Sequence, residues 1–285
     1  MSRLALFIGS GISLKLAKGD DGLLMGLPDW ETLIKNLYSL KGEKPPVNTD
    51  FPKAAESFRL RFCKDDDDLW IATVSEALYR DATLDFETIR KNDTLGAIGA
   101  LIMASLRGSV SEIVSFNYDD VLERYLTYHG LKVIPTFEER FWANRGDAII
   151  YHPHGFLPSP GSPFATRSTF VVLDRKSYSA RTGHSDERMN QKMETVMQSH
   201  TCLFIGLSGD DERLDNLMLR TQSEGKHARN PTETAYWGVA FSTSHDPTDA
   251  LRWEERGVYL HTLGSYQPDL PRLLFEVCQK AATRC

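Results

Sequence analysis

The chain is poor in the features that would support a metal, disulfide or membrane reading. It has four cysteines in 285 residues, Cys63, Cys202, Cys278 and Cys285, with no Cys-x-x-Cys pair among them. Neither a zinc ribbon nor a disulfide framework is expected from that pattern, and a reducing compartment, the cytoplasm, is the simplest setting. No apolar run is long enough to span a bilayer, and the run from Leu4 to Ile8 is too short for a signal peptide, so neither export nor membrane insertion is expected. Excess basic charge is also lacking: 33 Lys and Arg stand against 39 Asp and Glu, a formal net charge of −6. Direct nucleic-acid binding is therefore not expected. The acidic run Asp65-Asp66-Asp67-Asp68 reads as a solvated loop leading into a helix from about Leu69, where its charge complements the helix dipole. A metal site there is the less favoured alternative, because consecutive side chains do not converge on a cation.

What is present is the material of a soluble globular protein with a sizeable core, 41% hydrophobic and 25% charged. Short runs rich in Val, Ile, Leu and Phe read as buried strands: Leu4 to Ile8, Glu112 to Phe116, Lys132 to Phe137, Ala148 to Tyr151, Thr169 to Leu173, Cys202 to Ile205, Ala235 to Phe241 and Val258 to Leu263. Helical spacing separates many of them, at Asp119 to Tyr128, Asp211 to Thr221, Pro247 to Glu255 and Leu270 to Ala282. This alternation predicts a Rossmann-like α/β fold, a doubly wound and mainly parallel sheet covered on both faces. The interval from about residue 30 to 108 has helical spacing in several pieces and no convincing strand. It reads as a helical insertion after the first strand, within one domain spanning 1–285. Pro158 to Pro163, punctuated by Pro, Gly and Ser, reads as a flexible loop.

In a doubly wound sheet the ligand lies beyond the carboxyl ends of the strands. Four such ends carry polar or small residues. The first strand runs into Gly9-Ser10-Gly11-Ile12-Ser13, followed by Gly26-Leu27-Pro28-Asp29-Trp30. Small residues here let backbone N–H groups approach a dinucleotide's pyrophosphate, although the same pattern also makes an ordinary tight turn. At the second end, Asn117 and Asp119 emerge where strand gives way to helix; capping explains one of them readily, and both less easily. The third end is His152-Pro153-His154-Gly155. On an extended segment the two histidines share a face, and Gly155 leaves space beside the His154 ring for proton transfer near neutral pH. A hydrogen-bonded structural histidine is the alternative. The fourth end, Gly206-Leu207-Ser208-Gly209-Asp210-Asp211, reads either as a phosphate or ribose holder or as a turn with an acidic helix start.

Taken together these segments resemble the sirtuins. Gly9-Ser10-Gly11-Ile12-Ser13 is similar to the sirtuin Gly-Ala-Gly-Ile-Ser, and Gly26-Leu27-Pro28-Asp29-Trp30 to Gly-Ile-Pro-Asp-Phe. Ser115-Phe116-Asn117-Tyr118-Asp119 looks like Thr-Gln-Asn-Ile-Asp, His154-Gly155 like the catalytic His-Gly, and Gly206-Leu207-Ser208 like Gly-Thr-Ser. The variants from Asn117 to Glu123 and from Ile205 to Asp211 are closer to the sirtuin-like NAD hydrolases of prokaryotic antiphage defence. The resemblance implies NAD+ as a substrate, with no metal, bound across the sheet with Gly9, Gly11 and Ser13 around its phosphates and Asp29 in the cover. It implies Asn117 placing an attacking water, His154 as general base, and Asp119 facing the nicotinamide ribose. Gly206 and Ser208 would hold the cofactor, Ser208 at its adenosine half, and Gly264 and Ser265 would close around adenine. The expected reaction is hydrolysis of the N-glycosidic bond to nicotinamide and ADP-ribose. A regulatory subunit that binds NAD or ADP-ribose without turnover is the alternative, followed by an NAD-dependent protein deacylase. Deacylases carry paired cysteines and usually an Arg where this chain has Glu31. A homo-oligomer is expected, and by resemblance a hexameric ATPase translocase is the expected partner.

Overall fold

The computed structural model describes residues 3–13, 26–47, 49–64, 66–104, 110–137, 146–164, 170–182, 187–209, 211–226 and 236–283. Strand β1 (Arg3–Ile8) ends in a single 3-10 turn, and the chain enters helices α1 (Trp30–Ser39), α2 (Phe51–Phe58), α3 (Asp67–Tyr79), α4 (Phe86–Ile89) and α5 (Asp93–Met103) before β2 (Val110–Ser115). Then follow α6 (Val121–Tyr128), β3 (Val133–Thr136), β4 (Ala148–Tyr151), α7 (Arg175–Thr182), α8 (Glu187–Ser199) and β5 (His200–Ile205). The chain closes with α9 (Glu212–Lys226), β6 (Gly238–Ser242), α10 (Pro247–Glu255), β7 (Val258–Thr262) and α11 (Asp269–Thr283).

The seven strands form one sheet in the order β3-β4-β2-β1-β5-β6-β7, and every pairing is parallel. β1 lies at the centre because its side chains are apolar on both faces. Leu6 and Ile8 join the core formed with the insertion helices, α6 and α11, whereas Ala5 and Phe7 join the opposite core with α8, α9 and α10. From β1 the chain builds outward through β2 on one side and through β5 on the other. The strand order therefore reverses at β1, which opens a crevice at the carboxyl ends of β2, β1 and β5.

The insertion is helical because each helix has its own start signal. Asp29, Asp50, Asp66, Asp85 and Asn92 cap α1 to α5 in turn, each side chain accepting the backbone N–H three residues on. Each cap contributes about 1 kcal/mol. Tyr38 meets Phe58 edge-on, and Phe58 in turn packs on Trp70. α3 thus begins at Asp67, two residues ahead of the position read from the sequence, with Asp66 as its cap; Asp65 lies outside the described residues.

Two expectations are corrected. Val171, Val172 and Leu173 are buried as an apolar run should be, yet they make no strand: a lone antiparallel bridge joins Val171 to Gly155. The segment from His152 to Gly155 is not extended either. The Gly155 N–H donates to the His152 carbonyl at 3.2 Å, closing a turn that sends the two histidines apart. The loop at 158–163 is tied down by Ser159, whose hydroxyl donates to Asp120 and accepts from Arg124. No described helix is long and apolar enough to cross a membrane.

Candidate functional site

A cavity of about 860 Å³ opens at the strand-order reversal, at the large end of the range occupied by small-molecule sites. Its floor comes from three neighbouring strand ends: Gly9, Ser10 and Ser13 after β1, Phe116 to Asp119 after β2, and Gly206 to Ser208 after β5. His154 and Asp211 complete that side. The roof comes from the insertion, with Trp30 and Leu33 of α1 and Phe51 and Pro52 at the start of α2, and from Asp174, Arg175 and Tyr178 at the start of α7. The roof is fastened by charge. Arg175 pairs with Asp50, while Arg59 donates to the buried Asp174 at 2.7 Å and to Asp67 at 2.5 Å.

The reason for glycine at the first strand end is tighter than a phosphate approach. A Cβ on Gly9 would stand 2.3 Å from the Gly206 carbonyl oxygen, and one on Gly11 would stand 2.8 Å from the Gly206 Cα. Gly206 itself has φ +70°, which an L side chain adopts only under strain. The two turns therefore pack backbone to backbone, joined by Gly9 N–H to Ile205 O at 2.9 Å and Gly11 N–H to Gly206 O at 3.3 Å. Gly9 and Gly206 line the cavity, and Gly11 serves the packing behind it.

Ser13, Asn117 and Asp119 form one hydrogen-bonded chain. The Asn117 amide nitrogen donates to Ser13 Oγ at 3.1 Å, and the Ser13 hydroxyl donates to Asp119 Oδ1 at 3.1 Å, which also accepts Val121 N–H at 3.0 Å at the start of α6. The direction of that chain decides what Asn117 offers. With its nitrogen committed, its Oδ1 is a buried acceptor without a partner among the described residues. Burial pushes the Asp119 carboxyl up to about 7; the Val121 N–H opposes the rise, and the charges of Glu123 and Asp120 add to it.

His154 presents the complementary atom. Its Nε2 lies 2.6 Å from Asp211 Oδ2, and Asp211 Oδ1 accepts Leu214 N–H at 2.8 Å at the start of α9. Burial works to raise the Asp211 carboxyl, but the charge and hydrogen bond of His154, with the Leu214 N–H and Arg213, outweigh it and hold Asp211 below its ordinary value. An ionised Asp211 accepts from Nε2–H, and in a neutral imidazole this leaves Nδ1 with the lone pair. Nδ1 is buried and has no partner among the described residues. Phe116 meets the ring edge-on at 5.1 Å and fixes its plane. The expectation that Gly155 leaves space beside this ring is corrected: with φ +100°, its missing Cβ would sit 1.9 Å from the Phe170 carbonyl oxygen, so the glycine serves the turn.

Ser208 is exposed at the cavity edge. Three other expected site residues are placed elsewhere. Asp29 is exposed and caps α1 through Thr32 N–H at 2.8 Å, while its neighbours Pro28 and Trp30 line the cavity. Gly264 and Ser265 lie outside the lining, in the turn that starts α11, where the Ser265 N–H donates to Asp269 Oδ2 at 2.8 Å. The Ser265 N–H and hydroxyl are spent on that helix start, the hydroxyl donating to the Gln267 carbonyl at 2.8 Å.

The sequence reading missed Asp211 as the partner of His154, although its position just after Gly206-Leu207-Ser208 was a signal. It also missed Phe51, Asp174 and Arg175, which carry no local motif. Acidic groups predominate in the lining, with Asp50, Asp119, Asp174, Asp211 and Glu212 against Arg175. Asp50 and Asp174 are offset by Arg175 and Arg59, which leaves Asp119, Asp211 and Glu212 as the remaining acidic groups of the lining. Among the described residues, no group of three or more His, Cys, Asp or Glu side chains is placed to hold a metal ion.

A family model described as a SIR2-like domain matches residues 111–261, more than half of the chain. No curated protein compared with the chain matches it. The matched span holds Asn117, Asp119, His154, Ser208 and Asp211, whereas the Gly9 turn that packs on Gly206 and the insertion precede it. The chain belongs to the SIR2-like domain family, whose members use NAD+.

Proposed function

We propose that the protein is an NAD+ glycohydrolase that releases nicotinamide and ADP-ribose, and that this consumption of NAD+ serves antiphage defence. The observation that carries the chemical reading is the pair of unpartnered buried atoms, the acceptor Asn117 Oδ1 and the lone-pair nitrogen His154 Nδ1, on residues lining one acid-rich cavity. A ligand or its water in this cavity would supply the partner that each of these two atoms lacks. The antiphage part rests on the motif variants at Asn117 to Glu123 and Ile205 to Asp211.

NAD+ bound here supplies a cationic nicotinamide leaving group, which departs without a general acid and leaves positive charge on the ribose. Asn117 Oδ1 accepts a hydrogen bond from the attacking water and holds its oxygen oriented. His154 Nδ1 takes the proton that the water or a ribose hydroxyl gives up, and Asp211 stabilises the resulting imidazolium. Ionised Asp119 holds ribose hydroxyls and opposes the developing charge. Trp30 and Phe51, stacked at 6.3 Å between ring centroids, exclude bulk water at the rim.

The test is to incubate the purified protein with NAD+, with and without an acetylated peptide, and to follow nicotinamide, ADP-ribose and O-acetyl-ADP-ribose. Peptide-independent release of nicotinamide is expected, and it disappears in His154→Ala and in Asn117→Ala while both variants keep the wild-type circular dichroism. Peptide-dependent turnover overturns hydrolysis in favour of deacylation, and NAD+ binding without products overturns it in favour of a regulatory module.

A further inference from the structure

His152 and Glu123 are the most deeply buried polar pair beside the cavity, and the proposed reaction does not use them. Their side chains are 0% and 1% exposed, and His152 Nε2 lies 2.7 Å from Glu123 Oε1. The other ring nitrogen, Nδ1, lies 3.0 Å from the backbone carbonyl oxygen of Asn117. A carbonyl oxygen only accepts, so Nδ1 must carry hydrogen. In a neutral imidazole Nε2 would then hold a lone pair, which cannot face a carboxylate oxygen at 2.7 Å without a proton between them. The pair therefore keeps one proton, as imidazolium with carboxylate or as imidazole with carboxylic acid, and its net charge is zero in either form. That neutrality makes its complete burial tolerable.

The consequence falls on Asn117. Its N–H donates to Ser115 Oγ at 3.3 Å, its side-chain nitrogen to Ser13 Oγ at 3.1 Å, and its carbonyl accepts from His152. Of its polar atoms, Oδ1 alone has no hydrogen-bond partner among the described residues. Glu123 rides on α6, the helix whose start is held by Asp119 Oδ1 through Val121 N–H. One helix thus braces both residues assigned to the ribose and its water. The His152 N–H donates to Thr136 O at 2.8 Å, and the ring packs on Phe156 at 4.6 Å, so the brace is anchored to β3 and has little room to turn.

We propose that Glu123 and His152 are positioning residues that share a trapped proton and aim the Asn117 side chain into the cavity; the substrate part of this inference rests on the proposed NAD+ hydrolysis. The variants are His152→Phe, which fills the ring volume beside Phe156 without the Nδ1 donor, Glu123→Ala, and Glu123→Gln, whose amide can donate to a neutral Nε2 and so keep the proton on Nδ1. Expected in His152→Phe and Glu123→Ala is a kcat lower on the order of 10²-fold with KM within about threefold. Glu123→Gln restores most of the kcat that Glu123→Ala loses. A merely structural pair would lower the melting temperature and leave the kcat of the folded fraction unchanged, and that result overturns the proposal. A second readout does not depend on turnover. In ¹⁵N-labelled protein the Asn117 side-chain amide signal shifts and broadens in His152→Phe or, if that variant does not fold, in Glu123→Ala. An unmoved signal overturns the positioning role. A wild type that releases no nicotinamide overturns the proposed reaction, while the Asn117 signal still decides the positioning pair.

Discussion

Asp119→Asn should stabilise the protein, and more so the higher the pH. In the folded chain burial pushes this carboxyl up from 3.8 to about 7, the Val121 N–H resisting and Glu123 and Asp120 reinforcing the rise. A carboxyl whose folded value lies above its unfolded value favours folding while protonated. That advantage is complete below the unfolded value and is lost as pH climbs through the folded one. Each pH unit between the two values corresponds to about 1.4 kcal/mol, so ionising Asp119 costs the fold about 4 kcal/mol by about pH 8, and less than half of that at about pH 5. Asparagine retains an acceptor for Ser13 and Val121 and has no charge to bury. In urea titrations followed by tryptophan fluorescence, the stability gap between variant and wild type should widen by about 2 to 3 kcal/mol from about pH 5 to about pH 8. A gap that does not change with pH would refute the argument. The same ionisation gives the wild type a kcat/KM that rises through about pH 7, because the proposed role needs the carboxylate. In Asp119→Asn that rise should vanish as the protein gains stability, so activity and stability move in opposite directions at one side chain.

Asp211→Asn separates the orienting role of this residue from its helix cap. Asparagine keeps the acceptor for Leu214 N–H but turns a donor toward His154 Nε2, which moves the lone pair from Nδ1 to Nε2. Nicotinamide release should fall on the order of 10² to 10⁴-fold with an unfolding free energy within about 1 kcal/mol of wild type, and activity within tenfold of wild type would refute the assigned tautomer. Gly9→Ala drives its new methyl to 2.3 Å from the Gly206 carbonyl oxygen, where backbone on both sides prevents relief. A loss of about 1 to 3 kcal/mol in urea unfolding is expected, and an alanine variant as stable as the wild type would show that the two turns are not in the contact described.

How much of this was legible in the sequence depended on whether the signal was local. The central strands were, because a strand covered on both faces must be apolar at every position, as Leu6, Phe7 and Ile8 are. The same logic misread Val171 to Leu173, the buried part of the run from Thr169, which itself lies outside the described residues: burial makes a run apolar whether or not it is paired along its length, and here Val171 meets Gly155 at a single bridge. The start of α3 was legible through its acidic run, whereas the capping roles of Asp29, Asp50, Asp85 and Asn92 emerge only from the structure. That α2 would bring Phe51 to a cavity also lined by Asn117 was not legible, since nothing near residue 51 encodes its place relative to a residue more than sixty positions away.

The residues around the two histidines show the limit most sharply. Alternation along a strand predicts that His152 and His154 point together. The turn closed by Gly155 N–H instead gives each ring its own carboxylate, Glu123 for His152 and Asp211 for His154. What then distinguishes the rings is the second nitrogen. In His152 it is committed to the Asn117 carbonyl, and in His154 it has no partner among the described residues. A sequence can supply two histidines and two carboxylates, but which ring keeps a lone pair for chemistry follows from the partner of the last nitrogen. That partner is a backbone carbonyl in one case, and no side-chain pattern marks it.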